Sequence, residues 1–259
     1  MVIETFKRYE KKYYVTAKQL DILMERTEQY MTFDPYCMNG RYYPLYNLYF
    51  DTPNHEIILG SLSKPEYKEK LRLRSYVPDP CETSKVFLEI KKKCSKIVSK
   101  RRATMLYPDA VRYLKYGVYD VPDCPGEYRK RQVLREIDYF MQVYQYQVKP
   151  SIFVAYDRIA LFGKNDHDFR MTFDNNIRAR EENELTLDAE RPCSYLLPSD
   201  VYLMELKVAT ALPLWLTSAL SELGIFPTTF SKVGRAYEMF RTGIPSEQNV
   251  RRTLSHIGQ

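Results

Sequence analysis

The charged residues of this chain fall two apart, and that spacing suits anion binding. In KLRLRSY, Arg72 and Arg74 are so placed. FLEIKKK repeats the pattern with Glu89, Lys91 and Lys93, and SKRRATM with Lys100 and Arg102. FRMTFD carries Arg170, Thr172 and Asp174, and LMELKV carries Glu205 and Lys207. Near the start stand Arg8, Glu10 and Lys12, and VAYDRIA holds Tyr156 and Arg158. Residues two apart in a strand share a face. A charged face on a single strand is ordinarily a solvated sheet surface. Here the pattern recurs strand after strand and is biased toward Arg and Lys. Like charges crowded on one sheet repel one another unless an anion neutralises them. Guanidinium forks match phosphate oxygens and ammonium groups add point charges, so a triphosphate or polyphosphate fits. The sparse carboxylates Glu10, Glu89 and Glu205 would repel such a ligand. They make sense as oxygen ligands of Mg2+ or Mn2+, or else as ion-pair partners of neighbouring lysines.

These residues need strands to present them. Alternation and turn signals predict strands over 6–15, 44–51, 67–77, 85–93, 97–106, 150–161, 167–179 and 201–208. Helices are expected over 17–31, 55–62, 109–117 (opened by Pro108), 127–146 and 213–223, with a last one from Ser231. Thr16 can cap the first and Gly224 can close the fifth. About eight antiparallel strands can close into a barrel with room for side chains or one small ligand. Amphipathic helices need an apolar surface to cover, and an outward apolar sheet face supplies it. The expected fold is α+β: an eight-stranded antiparallel β-barrel tunnel with a polar lumen, covered by helices. An open sheet with a basic outer face also satisfies the pattern. One domain is expected over 1–245, with a flexible tail over 246–259.

Composition narrows the classes. Apolar residues make up 44% of the 259, enough for a packed core. Lys and Arg number 39 against 33 Asp and Glu, a net +6 that is compatible with an anionic partner. Five cysteines without a CxxC read as reduced cytosolic thiols rather than a disulfide framework or zinc knuckle. No signal peptide and no apolar run long enough to span a membrane is found, so a cytoplasmic location is expected. The 23 tyrosines invite stacking, but they are scattered and no nucleic-acid signature accompanies them, so no nucleic-acid partner is expected. The three histidines fall in loops or the tail, and no nucleophile triad or P-loop occurs.

The ordered set FKRYEKKYYV, LYFDT, KLRLRSY, FLEIKKK, SKRRATM, YDRIA, FRMTFD, LMELKV and FSKVGRAYEMF resembles the polyphosphate polymerase (VTC) domain, a member of the triphosphate tunnel metalloenzyme or CYTH-like superfamily. The resemblance implies a closed eight-stranded tunnel. It also implies transfer of the γ-phosphate of ATP to a growing polyphosphate chain with a divalent cation, preferably manganese, as in eukaryotic members. It places phosphate-binding cations at Lys12, Arg72, Arg74, Lys91, Arg102, Arg158 and Arg170, and the metal-binding glutamate at Glu205. Lys207, Ser231 and Lys232 complete the set. Lys93 competes with Lys91, and Lys100 with Arg102, at one strand step. The superfamily's triphosphatases open with ExExK, where this chain has Arg8-x-Glu10-x-Lys12. A cation for a carboxylate removes a metal ligand and favours transfer over hydrolysis. Neither an SPX domain nor membrane helices are read here, so translocation and inositol-phosphate sensing are not carried over, and any membrane partner would be a separate protein. Two other readings stay open: hydrolysis of tripolyphosphate or a nucleoside triphosphate, and polyphosphate binding without turnover.

Overall fold

A computed structural model describes residues 9–37, 40–63, 65–94, 97–119 and 127–257, with side chains only to residue 254. Arg8 lies outside the described residues.

The elements run in chain order as β1 (Tyr9–Thr16), α1 (Ala17–Thr27), β2 (Met31–Phe33), β3 (Tyr43–Asp51), α2 (Glu56–Leu62), β4 (Tyr67–Ser75) and β5 (Lys85–Cys94). Next come β6 (Ile97–Leu106), α3 (Tyr107–Tyr116), α4 (Tyr128–Val143), β7 (Lys149–Gly163) and β8 (Arg170–Glu181). The chain continues with β9 (Ser194–Tyr195), β10 (Val201–Val208), α5 (Leu214–Glu222), β11 (Pro227–Thr228), α6 (Lys232–Thr242) and α7 (Ser246–Ile257). The eight expected strands are the long ones here, and β2, β9 and β11 are short additions. The stretch expected as a tail contains α7, which buries Val250. No described helix is long and apolar enough to cross a membrane.

The chain forms two compact units, and the long strands β7 and β8 enter both. The first draws on Met1–Pro44, Tyr156–Arg178 and Tyr195–Gln259. Its strand order is β11-β1-β10-β8-β7, with β2 paired to β7. The β1–β10 register sets Lys12 opposite Glu205 and Tyr13 opposite Met204. Cross-strand partners point to one side of a sheet, so alternate positions sort into a charged face and an apolar one. The apolar face joins Tyr13, Val15, Met171, Phe173, Met204 and Leu206 in a core with Leu20 and Leu23 of α1. Helix α1 starts at a capping box: Thr16 Oγ1 accepts from the Gln19 N–H at 3.3 Å, and the Gln19 side chain accepts from the Thr16 N–H at 2.9 Å. It ends at Thr27, short of its expected end, because Met31 to Phe33 pair with β7.

The second unit comprises Leu45–Ala155 and Ala179–Ser194. Its strands follow in the order β7-β3-β4-β5-β6. Leu48, Leu71, Leu73, Leu88, Ile90 and Ala103 form its apolar face, packed with Val133, Leu134, Ile137 and Phe140 of α4. Strand β4 stops at Ser75, whose hydroxyl donates to the Val77 carbonyl at 2.7 Å and accepts from the Val77 N–H at 3.1 Å, folding the backbone into a turn. Helix α3 has proline in its first turn and Gly117 in the left-handed region at its end (φ 69°).

The pairings among the described residues give a large antiparallel sheet, not a closed barrel. Strand β11 pairs only with β1, and β6 only with β5. Alternation along a strand reports its two faces and is silent on whether the sheet's edges meet, so closure could not be read from the sequence pattern.

Candidate functional site

Each unit carries one charged face, and each face has a buried carboxylate at its centre.

In the first unit, Lys12 Nζ lies 3.4 Å from Glu205 Oε1 and 3.6 Å from Glu10 Oε1, and it donates to the Phe230 carbonyl at 2.7 Å. Arg158 grips Asp174 with two bonds, Nε to Oδ1 at 2.5 Å and Nη2 to Oδ2 at 2.7 Å. The same Nη2 is 3.7 Å from Glu205 Oε2. Lys232 Nζ closes the network, 2.6 Å from Asp174 Oδ2 and 3.3 Å from Glu205 Oε1. The Tyr156 ring lies beneath both cations, 5.2 Å from the Arg158 guanidinium and 4.6 Å from Lys232 Nζ. Arg158, Asp174, Glu205 and Lys232 are all buried. Toward solvent stand Arg170, whose Nη2 is 3.3 Å from Asp34 Oδ2, and Lys207, in register with both Glu10 and Arg170.

Burial pushes these carboxyl groups up, and the cations win. Lys232, Lys12 and Arg158 hold Glu205 well below the usual glutamate value, and Arg158 and Lys232 hold Asp174 below its own. Burial would strip Lys232 of its proton, but Asp174 and Glu205 raise it instead. All four groups stay charged at neutral pH, fixed by one another.

Ser231 caps α6: its Oγ accepts from the Gly234 N–H at 3.2 Å. That cap sets Lys232 at the first helical position. A lysine there faces the positive end of the helix dipole, and Asp174 and Glu205 offset the conflict.

In the second unit the balance is different. The register aligns Arg72, Glu89 and Arg102 across β4, β5 and β6, and Lys70, Lys91 and Lys100 in the next row. Glu89 is 1% exposed. It lies 2.6 Å from Arg72, 2.7 Å from Lys100 and 3.8 Å from Arg74, in the position of a counter-ion to three cations. Burial raises the Glu89 carboxyl, but Arg72, Arg74 and Lys100 bring it down to about 2. Arg74 Nε donates to Asn47 Oδ1 at 2.8 Å, and Asn47 in turn donates to the Val154 carbonyl at 3.1 Å. Arg72 Nη1 donates to the Tyr49 hydroxyl at 3.1 Å. Burial raises Tyr49, yet Arg72 and Arg74 draw its hydroxyl down to about 8. Arg102 stacks over the Phe87 ring at 5.0 Å. One carboxylate among so many cations leaves this face positive. Lys100 registers that excess: burial, Arg72 and Arg74 together outweigh Glu89 and push it down to about 7. Its side chain keeps 40% of its surface in solvent, within reach of a ligand.

The described residues expected at the site thus gather in two groups: Glu10, Lys12, Arg158, Arg170, Glu205, Lys207, Ser231 and Lys232 in the first unit, and Arg72, Arg74, Glu89, Lys91, Lys93, Lys100 and Arg102 in the second. Lys100 rather than Arg102 contacts Glu89 directly. Sequence reasoning left Asp34, Asn47, Tyr49, Lys70 and Asp174 without a role. Asn47 and Tyr49 stand two apart in PLYNLYFD, and Lys70 precedes Arg72 by two, so the same alternation could have found them.

Among the described residues, no three or more His, Cys, Asp or Glu side chains are grouped to hold a metal ion. Glu10 and Glu205, the two carboxylates of the first unit expected to hold a divalent cation, both approach Lys12 Nζ, which takes the place of a shared counter-charge.

The VTC domain profile matches residues 7–241. Among solved structures, a Bacillus halodurans protein provisionally described as an adenylate cyclase aligns with a TM-score of 0.50 and 12% identity, over 87% of this chain and 95% of its own. A Hippeastrum protein, provisionally described as an adenylyl cyclase with a dominant triphosphatase activity, aligns with a TM-score of 0.46 and 15% identity, over 92% of this chain and 98% of its own. Comparison with curated proteins gives no match.

Proposed function

The chain belongs to the VTC domain family, and from that premise we propose that it transfers the terminal phosphoryl group of ATP to the end of a polyphosphate chain. The supporting observation is the buried network of Arg158 and Lys232 about Glu205 and Asp174, joined from its half-buried rim by Lys12. Phosphoryl transfer spreads negative charge over the oxygens of the moving group and asks the protein mainly for position and electrostatic stabilisation. Cations already fixed by buried carboxylates need little rearrangement when that charge develops.

On this reading Lys12, Arg158, Arg170, Lys207 and Lys232 hold and orient the reacting phosphates. Glu205, with Glu10, would hold a divalent cation, Mn2+ or Mg2+, which when bound would supply further positive charge to the reacting phosphates. Arg72, Arg74, Lys91, Lys93, Lys100 and Arg102 form a second face for phosphates of the same kind, with Glu89 as internal counter-ion. Departure from hydrolysis at the first strand turns on Arg8.

Incubation with ATP and Mn2+ tests the reading. A lengthening polyphosphate ladder is the expected product, and Glu205→Gln should reduce its formation at least a hundredfold, the scale of losing a preorganised electrostatic group. Orthophosphate without chains would make the protein a hydrolase. Unchanged turnover in the variant would remove Glu205 from the chemistry.

A further inference from the structure

Thr172 stands on β8 between Arg170 and Asp174, and strand alternation turns all three to the same side. Its neighbours Met171 and Phe173 face the other way, into the apolar core. Thr172 is 3% exposed, and its Oγ1 has no hydrogen-bond partner among the described residues. Buried hydroxyls nearly always find a partner, because desolvating one without compensation is unfavourable. The acceptors around it are already engaged. Glu205, opposite Thr172 across the β8–β10 ladder, is approached by Lys12, Lys232 and Arg158. Asp174, two residues along, is gripped by Arg158 and Lys232. The charged face opens to solvent nearby: the side chains of Lys12, Glu10 and Arg170 are 22%, 27% and 32% exposed. A donor without an internal acceptor, set among fixed cations, is suited to an acceptor from outside.

We propose that the Thr172 hydroxyl is a binding group of this site, donating a hydrogen bond to a non-bridging oxygen of the triphosphate or polyphosphate that the surrounding cations attract. This rests on the phosphate reading of the first unit's charged face. The hydroxyl adds direction to a site otherwise made of charges: it requires an oxygen acceptor at one place, where ammonium groups require only negative charge.

The test uses the full chain with inorganic tripolyphosphate as the probe, in EDTA and again with Mn2+. Titration calorimetry and thermal melts are recorded for the wild type, Thr172→Val and Thr172→Ser. Thr172→Val removes the hydroxyl and keeps the branched shape. It should leave the ligand-free melting temperature unchanged or higher, since no internal bond is lost. It should also weaken tripolyphosphate binding about tenfold, the scale of a hydrogen bond to a charged acceptor, while Thr172→Ser restores binding. Wild-type affinity in Thr172→Val overturns the proposal. So does a lower ligand-free melting temperature, which would mean an internal partner. A loss seen with Mn2+ and absent in EDTA overturns it as well, by assigning the hydroxyl to the metal. If the wild type itself fails to bind tripolyphosphate, the phosphate reading of the whole face falls, and this proposal with it.

Discussion

Asp174 shows what a single residue does in this network. It is fully buried, and both its oxygens are held by Arg158, with Lys232 on one of them. Asp174→Asn would leave a buried guanidinium and ammonium short of a counter-charge. Breaking a buried pair from one side costs about 3–5 kcal/mol, and urea unfolding should show a loss of that order. Lys100 makes the opposite kind of statement. Its ammonium is depressed to about 7 because burial and two arginines outweigh Glu89. Between that value and the ordinary lysine range, the unfolded chain binds the extra proton and the folded chain does not, so this residue makes stability rise with pH across that interval. An anion reverses the local balance. Tripolyphosphate should bind with uptake of a proton when the pH is above about 7. Calorimetry in buffers of different ionisation enthalpy should detect that uptake, and Lys100→Met should lose it.

At the scale of elements, the cap of α6 joins stability to the site. Ser231 accepts from the Gly234 N–H, and the residue it introduces into the helix is Lys232. Ser231→Ala should cost about 1 kcal/mol in urea unfolding, and Ser231→Asn should recover most of it, because asparagine caps as well as serine. If Ser231 also bonds phosphate, the asparagine variant will regain stability without regaining tripolyphosphate affinity, and the two functions separate in one experiment. Strands position the remaining groups. Cross-strand register, rather than closeness in sequence, sets Lys12 against Glu205 and Glu89 against Arg72 and Arg102.

Across the whole molecule, the chain carries a net charge of +6, and the second unit's face concentrates cations about one carboxylate. Electrostatic attraction of that kind weakens as salt screens it, with a Debye length of about 8 Å at physiological ionic strength. Tripolyphosphate affinity should therefore fall steadily as potassium chloride is raised, and longer polyphosphates should bind more tightly than tripolyphosphate at every salt concentration. A salt-independent affinity would point to a site governed by shape rather than charge.

The sequence by itself determined the two faces of each strand, because side-chain direction alternates with the backbone and needs no distant partner. KLRLRSY, FLEIKKK and FRMTFD therefore disclosed Arg72, Arg74, Lys91, Lys93 and Arg170 and the apolar core behind them. It also disclosed Thr16 as a cap, since a capping box is closed within four residues. Tertiary structure decided the pairings. Asp174 could not be distinguished from a solvated aspartate until β7 and α6 brought Arg158 and Lys232 to it. The role of Glu89 as counter-ion, the depressed Lys100 and the partnerless Thr172 hydroxyl likewise depend on groups far apart in the chain. Charge and hydrogen bonding act through space, whereas the sequence pattern records only order along one strand.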